Sequence, residues 1–175
     1  MTAIAPKAID RLAPLQAAAV VAGAAVFLVA SAALLNMLFS HAAIPNDLRK
    51  AAVVAHLASV MAALPLGLSQ LVLPKGTVRH RLVGYTWLTL MVFTALVSFA
   101  IHTINKNGLS WIHLFSVLTL VLAPVIAWRA RRGEVEKHRQ AVLGLLGGGL
   151  VIAGAFTFIP GRVLGNLVMT MFGHG

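Results

Sequence analysis

The sequence predicts an all-α fold: a polytopic membrane bundle of five transmembrane helices followed by a short C-terminal interfacial helix. Three observations predict it. Of 175 residues, 59% are apolar and 10% charged, with mean hydropathy +0.91, whereas a soluble domain carries about a quarter charged residues. The apolar residues fall into five blocks, each close to the roughly 20 residues that cross a bilayer core of about 30 Å. Four acidic residues cannot cover the surface of a water-soluble globule.

The first block runs from about Pro14 to Phe39. Lys7 and Arg11 precede it, and Val29-Ala30-Ser31-Ala32 has the small residues of a signal-cleavage site. A signal core, however, is about 7–15 residues long. Apolar character here continues through Leu34, Leu35, Met37, Leu38 and Phe39, which predicts a retained signal anchor. Pro45, Asn46 and Asp47 introduce the second block, about Ala51 to Leu73, and Pro74 and Gly76 introduce the third, about Leu82 to Ile104. Asn107 and Gly108 lead into the fourth, about Ser110 to Trp128, and Gly133 follows it before the fifth, about Ala141 to Ile159. Pro65 and Pro124 lie inside spans and predict kinks, which neighbouring helices tolerate by re-satisfying the freed carbonyls. Beyond Pro160, the stretch Gly161 to Phe172 places Leu164, Leu167, Val168 and Met171 on one helical face. It is too short to cross and predicts a helix lying in the outer interface. The whole chain reads as one integral membrane domain.

The basic residues divide unequally between the two sides. Arg49, Lys50, Lys106 and Arg162 fall on one side, and the other ten of the 14 fall on the opposite side, at the amino terminus and in the second and fourth interhelical segments. The positive-inside rule predicts a cytoplasmic amino terminus and an external carboxy terminus. The +10 charge is therefore topological and attracts anionic lipid headgroups. With no soluble face to carry a basic patch, a nucleic-acid partner is excluded.

With no cysteine, disulfides, iron–sulfur clusters and thiolate metal sites are ruled out. Metal chemistry falls to the seven histidines. His80 (in Arg79-His80-Arg81) and His138 (in Lys137-His138-Arg139) mark the cytoplasmic ends of the third and fifth spans, while His56, His102 and His113 mark outer ends. His41 and His174 lie in outer segments. On one continuous helix His80 and His102 would stand about 33 Å apart and about 40° around the axis. His56, five residues into its span, needs a hydrogen-bond partner because an unpaired polar ring at that depth costs free energy.

Opposed imidazoles from neighbouring helices are good ligands for haem or a metal. The outer trio could supply bis-histidine haem ligation or a three-histidine copper or zinc site. The inner pair, flanked by cations, could hold haem propionates, a quinone headgroup or lipid phosphate. The opposing reading makes all five interfacial hydrogen-bonders, with the Arg-His-Arg and Lys-His-Arg triplets acting as membrane anchors. Layers roughly 30 Å apart are too distant for direct electron exchange, which favours one cofactor near the outer layer.

Asp10, Asp47, Glu134 and Glu136 lie outside the predicted spans, so no carboxylate serves a proton-coupled pump. No His-Glu-x-x-His, Gly-x-Ser-x-Gly or phosphate loop occurs. Gly144, Gly147, Gly148, Gly149 and Gly154 predict close helix approach through the Gly144/Gly148 spacing, or alternatively a gap for a flat cofactor. Trp87, Trp111 and Trp128 read as aromatic-belt residues. Arg162 snorkels to outer headgroups or holds an anionic ligand.

Several separated motifs occur in order: Lys75-Gly76-Thr77 with His80-Arg81 and Gly84, then Ser98-Phe99 and Ile101-His102, then Ser110 to Ser116 around His113. Arg132-Gly133-Glu134 to His138-Arg139 and Ala153-Gly154-Ala155-Phe156-Thr157-Phe158-Ile159-Pro160-Gly161-Arg162 follow. Together they resemble the bacterial predicted membrane proteins of domain of unknown function 2306, over about Ala51 to Arg162. The resemblance implies a small integral protein of the bacterial inner membrane with this helix count. It also implies histidines at the positions of His56, His80, His102, His113 and His138, and it carries no particular activity. Val142 stands where that pattern has methionine.

The leading expectation is a redox or metal-binding membrane protein with its cofactor held among His56, His80, His102, His113 and His138. In it His56, His102 and His113 ligate a b-type haem near the outer surface. Two alternatives stand beside it. One is a non-catalytic accessory subunit packed into a larger membrane complex or a homo-oligomer through its fifth helix. The other is a small carrier or quinone-binding protein with its pocket between the third, fourth and fifth spans.

Overall fold

The computed structural model describes residues 13–39, 50–101 and 112–173. Among them every regular element is helical: α1 (Ala13–Phe39), α2 (Ala51–Val72), α3 (Val78–Ser98), α4 (His113–Arg131), α5 (Val135–Phe158) and α6 (Val163–Met171). The first five are long and apolar enough to cross a membrane, which makes the chain a multi-pass membrane protein.

The helix ends depart from the hydropathy blocks for identifiable reasons. α3 starts at Val78 and α5 at Val135, four and six residues before the apolar runs. Arg79, Arg81, Lys137 and Arg139 are sound helix formers, with stems that can lie along the bundle and heads in water. The Thr77 side chain caps α3 by accepting from the His80 amide at 3.1 Å. Just before it Gly76 adopts φ 77°, and Gly133 adopts φ 71° in the α4–α5 turn. Both are left-handed conformations that glycine takes without strain. α3 ends at Ser98, four residues before His102, and α4 starts at His113 and keeps Arg129 and Arg131 in its last turn, where cations suit the helix dipole.

Helices α2, α3, α4 and α5 form a ring in which each packs on the next and α5 closes against α2. Consequently α2 and α4 are diagonal, as are α3 and α5. α1 lies outside the ring against α2 and α5. The core is built from Ala63 and Leu64 of α2, Trp87 and Met91 of α3, Ala123 and Ile126 of α4, and Leu145, Leu146 and Leu150 of α5. Leu28 and Leu35 of α1, Phe93 and Leu96 of α3, and Leu114 and Val121 of α4 remain exposed, as a lipid-facing surface requires.

Three expectations are corrected. Trp87 is no belt residue: only 1% exposed, it packs so close to Gly67 of α2 that a Cβ there would lie 2.7 Å from the indole Nε1. Gly144 and Gly148 do not mediate tight packing, since a Cβ at Gly144 would meet nothing within 4 Å and at Gly148 only Leu118 at 3.9 Å. The close approaches are at Gly149, 3.2 Å from Thr119 Oγ1, and Gly154, 3.2 Å from Val26. The glycine-rich stretch Leu145–Ile152 winds as a π-helix inside α5, a form found mostly as short insertions at functional sites. Finally, α6 keeps its expected apolar face but turns it to protein. Leu164 and Leu167 bury against Ala30 and Ala33 of α1, with Leu57 and Met61 of α2 alongside, because small residues on α1 leave a groove that α6 fills.

Gly165 of α6 sits against the Ile159 and Phe158 carbonyls, where a Cβ would collide with backbone. Gly165→Ala is expected to destabilise the protein by about 1–3 kcal/mol, read as a lowered unfolding temperature in detergent. Gly144→Ala, with open space at its Cβ, is expected to be neutral or to stabilise by up to about 1 kcal/mol.

Candidate functional site

Polar side chains inside this bundle gather around two cavities at opposite ends. The first, of about 580 Å³, lies where α2 and α4 begin and α3 and α5 finish. His56 of α2 and His113 of α4 both line it, facing in from diagonal helices.

α3 anchors both rings. His56 Nδ1 lies 3.1 Å from the Thr94 carbonyl, and His113 Nε2 lies 3.1 Å from the Ser98 carbonyl one turn further on. A carbonyl only accepts, so the ring nitrogen in each pair carries the proton. His56 therefore keeps its lone pair on Nε2, the form in which imidazole ligates metals with its second nitrogen oriented by a carbonyl. His113 is buried and stacks on Phe99 with ring centroids 5.6 Å apart. To ligate through Nε2 it must release the Ser98 carbonyl.

A belt of hydroxyls surrounds the two rings. Thr94 Oγ1 donates to Ser59 Oγ at 2.7 Å, and Ser59 Oγ donates to the His56 carbonyl at 2.8 Å. Ser98 Oγ donates to the Ala95 carbonyl at 2.7 Å, so the 2.6 Å contact between Ser98 and Ser116 has Ser116 as donor. Thr119 closes on the Phe115 carbonyl at 2.8 Å. Gly149, Gly154 and Arg162 complete the lining. A Cβ at Gly149 would crowd Leu145 and Thr119, and one at Gly154 would crowd Val26 of α1.

The second cavity, of about 480 Å³, lies at the basic end, where α3 and α5 begin. His80 and His138 line it with Lys75, Arg81, Arg131 and Arg139. His138 Nδ1 donates to the Ile126 carbonyl at 3.0 Å, and the two imidazoles lie within electrostatic range of each other. Lys75 Nζ closes the end of α2 by donating to the Gln70 and Leu71 carbonyls at 2.6 and 2.8 Å. Burial, and secondarily the charge of Arg139, push the Lys75 ammonium below its usual range. Arg139 donates to Gln16 Oε1 at 2.7 Å, Gln16 Nε2 donates to the Leu71 carbonyl at 2.6 Å, and Arg131 Nε donates to the Tyr85 hydroxyl at 3.2 Å. Three buried polar atoms of the lining have no protein partner: His80 Nδ1, Gln70 Nε2 and Trp87 Nε1.

Four of the five candidate histidines are thus brought together in pairs. His102, His41 and His174 lie outside the described residues, as does Trp111. Among the described residues no three histidine or acidic side chains gather as a metal site, so a three-histidine copper or zinc centre would depend on His102. Sequence reasoning missed the hydroxyl belt and Gln70. The signal was present, in that His56/Ser59, Thr94/Ser98 and Ser116/Thr119 repeat at three or four residues, the spacing of one helical face. Comparison with family models, with curated proteins and with solved structures finds no match.

The belt yields a direct check. Thr94→Val removes the hydroxyl donated to Ser59 but keeps the carbonyl that holds His56, and is expected to cost about 1 kcal/mol. Thr86→Val, on an exposed face of α3, is expected to cost close to nothing. Unfolding free energies in mixed micelles distinguish the two.

Proposed function

We propose that the chain is a membrane-embedded electron carrier whose first cavity would hold a b-type haem, with His56 and His113 as the residues that would ligate it. The observation that carries this reading is the placement of these two imidazoles on diagonal helices around one cavity. Its volume of about 580 Å³ lies within the roughly 300–1,000 Å³ of small-molecule sites. Two opposed histidines are the set that bis-histidine haem needs, whereas copper or zinc asks for a third ligand. When bound, haem supplies one-electron transfer.

The chain's own residues supply the rest. The Thr94 carbonyl orients the His56 ring and strengthens its Nε2 as a donor. Gly149 and Gly154 line the cavity on α5 and are also the points where α5 packs closely on its neighbours, with Thr119 and Val26 the nearest side chains outside that helix. The hydroxyls of Ser59, Thr94, Ser98 and Ser116 bond to protein, which leaves a surrounding of low charge. Arg162 is the cation in the lining suited to a carboxylate on the bound group. The basic end, with Lys75, Arg79, Arg81 and Arg129 to Arg132, is assigned to the cytoplasm by the positive-inside rule, which places the haem toward the outer face.

Purified protein from cells supplied with haem is expected to show a Soret band and a pyridine haemochrome of b type at one haem per chain. His56→Ala and His113→Ala should each abolish the low-spin bis-histidine spectrum while the helical circular dichroism persists. A colourless wild-type protein that fails to take up added haemin would overturn the proposal.

A further inference from the structure

The second cavity is built differently from the first, and its chemistry points to another ligand. Lys75, Arg81 and Arg131 line its mouth, and no carboxylate among the described residues lines it. The two described carboxylates at this end lie outside its lining. Glu134 pairs with Arg132 at 3.4 Å and Lys137 at 3.2 Å, and Glu136 accepts from Gln140 at 3.0 Å. Deeper in, the charges give way to neutral donors. Gln70 is 5% exposed and Trp87 1% exposed, yet Gln70 Nε2 and Trp87 Nε1 have no partner, nor has His80 Nδ1 at the level above. His80 and Trp87 are separated by about 10 Å along α3, so the unpaired atoms form a ladder running inward from the mouth. Leu71, Leu88, Ile126 and Val142 make the remaining wall apolar.

A buried polar group without a partner costs about 1–3 kcal/mol, and unpaired donors on residues that line one cavity mark a place where acceptor oxygens belong. Cations at the mouth ask for an anion, neutral N–H groups below ask for uncharged acceptor oxygens, and the apolar wall asks for hydrocarbon. A quinone head could accept hydrogen bonds from these groups, but it is uncharged and leaves the excess of cations unbalanced.

We propose that this cavity binds a phosphate-bearing anion, the headgroup of an anionic phospholipid, with the phosphate among Lys75, Arg81 and Arg131 and the ester oxygens reaching Gln70. Free phosphate shares the charge but not the ester oxygens or the tail. The site is independent of what fills the first cavity, and its test carries no haem signal.

The test is native mass spectrometry of the intact chain released from nanodiscs of mixed phosphatidylglycerol and phosphatidylcholine. One phosphatidylglycerol per chain is expected to remain bound in preference to phosphatidylcholine, with the preference falling as ionic strength rises. Lys75→Gln is expected to lower it about fivefold. Arg132→Gln removes the same charge from the same end but outside the cavity, and is expected to change it less than about twofold. Gln70→Leu, which keeps every cation, should lower it as well. Retention of the lipid in millimolar inorganic phosphate supports a lipid headgroup, and its displacement by phosphate supports the anion site but assigns it to the free ion. Equal retention of both lipids by the wild type, or a preference that Arg132→Gln lowers as much as Lys75→Gln does, would overturn the proposal. So would a second haem recovered with His80 and His138.

Discussion

A polar ring inside an apolar bundle must give its N–H to something, and in a chain this poor in carboxylates the abundant acceptors are backbone carbonyls. That constraint organises both ends of the molecule. His56, His113 and His138 each donate to a carbonyl of a neighbouring helix at 3.0 to 3.1 Å. A helical carbonyl has a second lone pair beyond its own ladder bond, so the anchor does not unwind the helix that provides it. The ring of four helices is in effect cross-linked through these three histidines, whereas His80, with Nδ1 unpaired, adds no such link.

The two cavities answer that constraint in opposite ways. At one end hydroxyls are satisfied among themselves and with backbone, leaving a chamber whose lining holds two imidazoles, the glycines of α5 and one cation, Arg162. At the other, cations cluster without a carboxylate in the lining among the described residues, and three polar atoms of the lining residues remain unpaired. The π-helical stretch of α5 lies between them. A Cβ at Gly149 within it would lie 3.2 Å from Thr119 Oγ1 of α4 and 3.7 Å from Met91 of α3, so the stretch is closely packed at that point.

Much of the architecture was legible because hydropathy is an additive property: five apolar blocks of spanning length read directly as five helices. The ends were less legible, since Arg79 to Arg81 and Lys137 to Arg139 are helical yet charged, and an average over a window cannot separate a snorkelling cation from a loop. The pairing of His56 with His113 and of His80 with His138 was only half visible. Layer assignment gave the depth of each ring, but which helices are diagonal depends on packing that no local pattern encodes. Trp87 was misread for the same reason, because depth along a helix says nothing about whether a ring faces lipid or core.

Both anchoring carbonyls of the first cavity belong to α3, at Thr94 and Ser98, one helical turn apart. Any slide or roll of that helix therefore acts on both imidazoles for as long as both stay anchored, and a His113 that lets go of Ser98 is freed from a motion that His56 still follows.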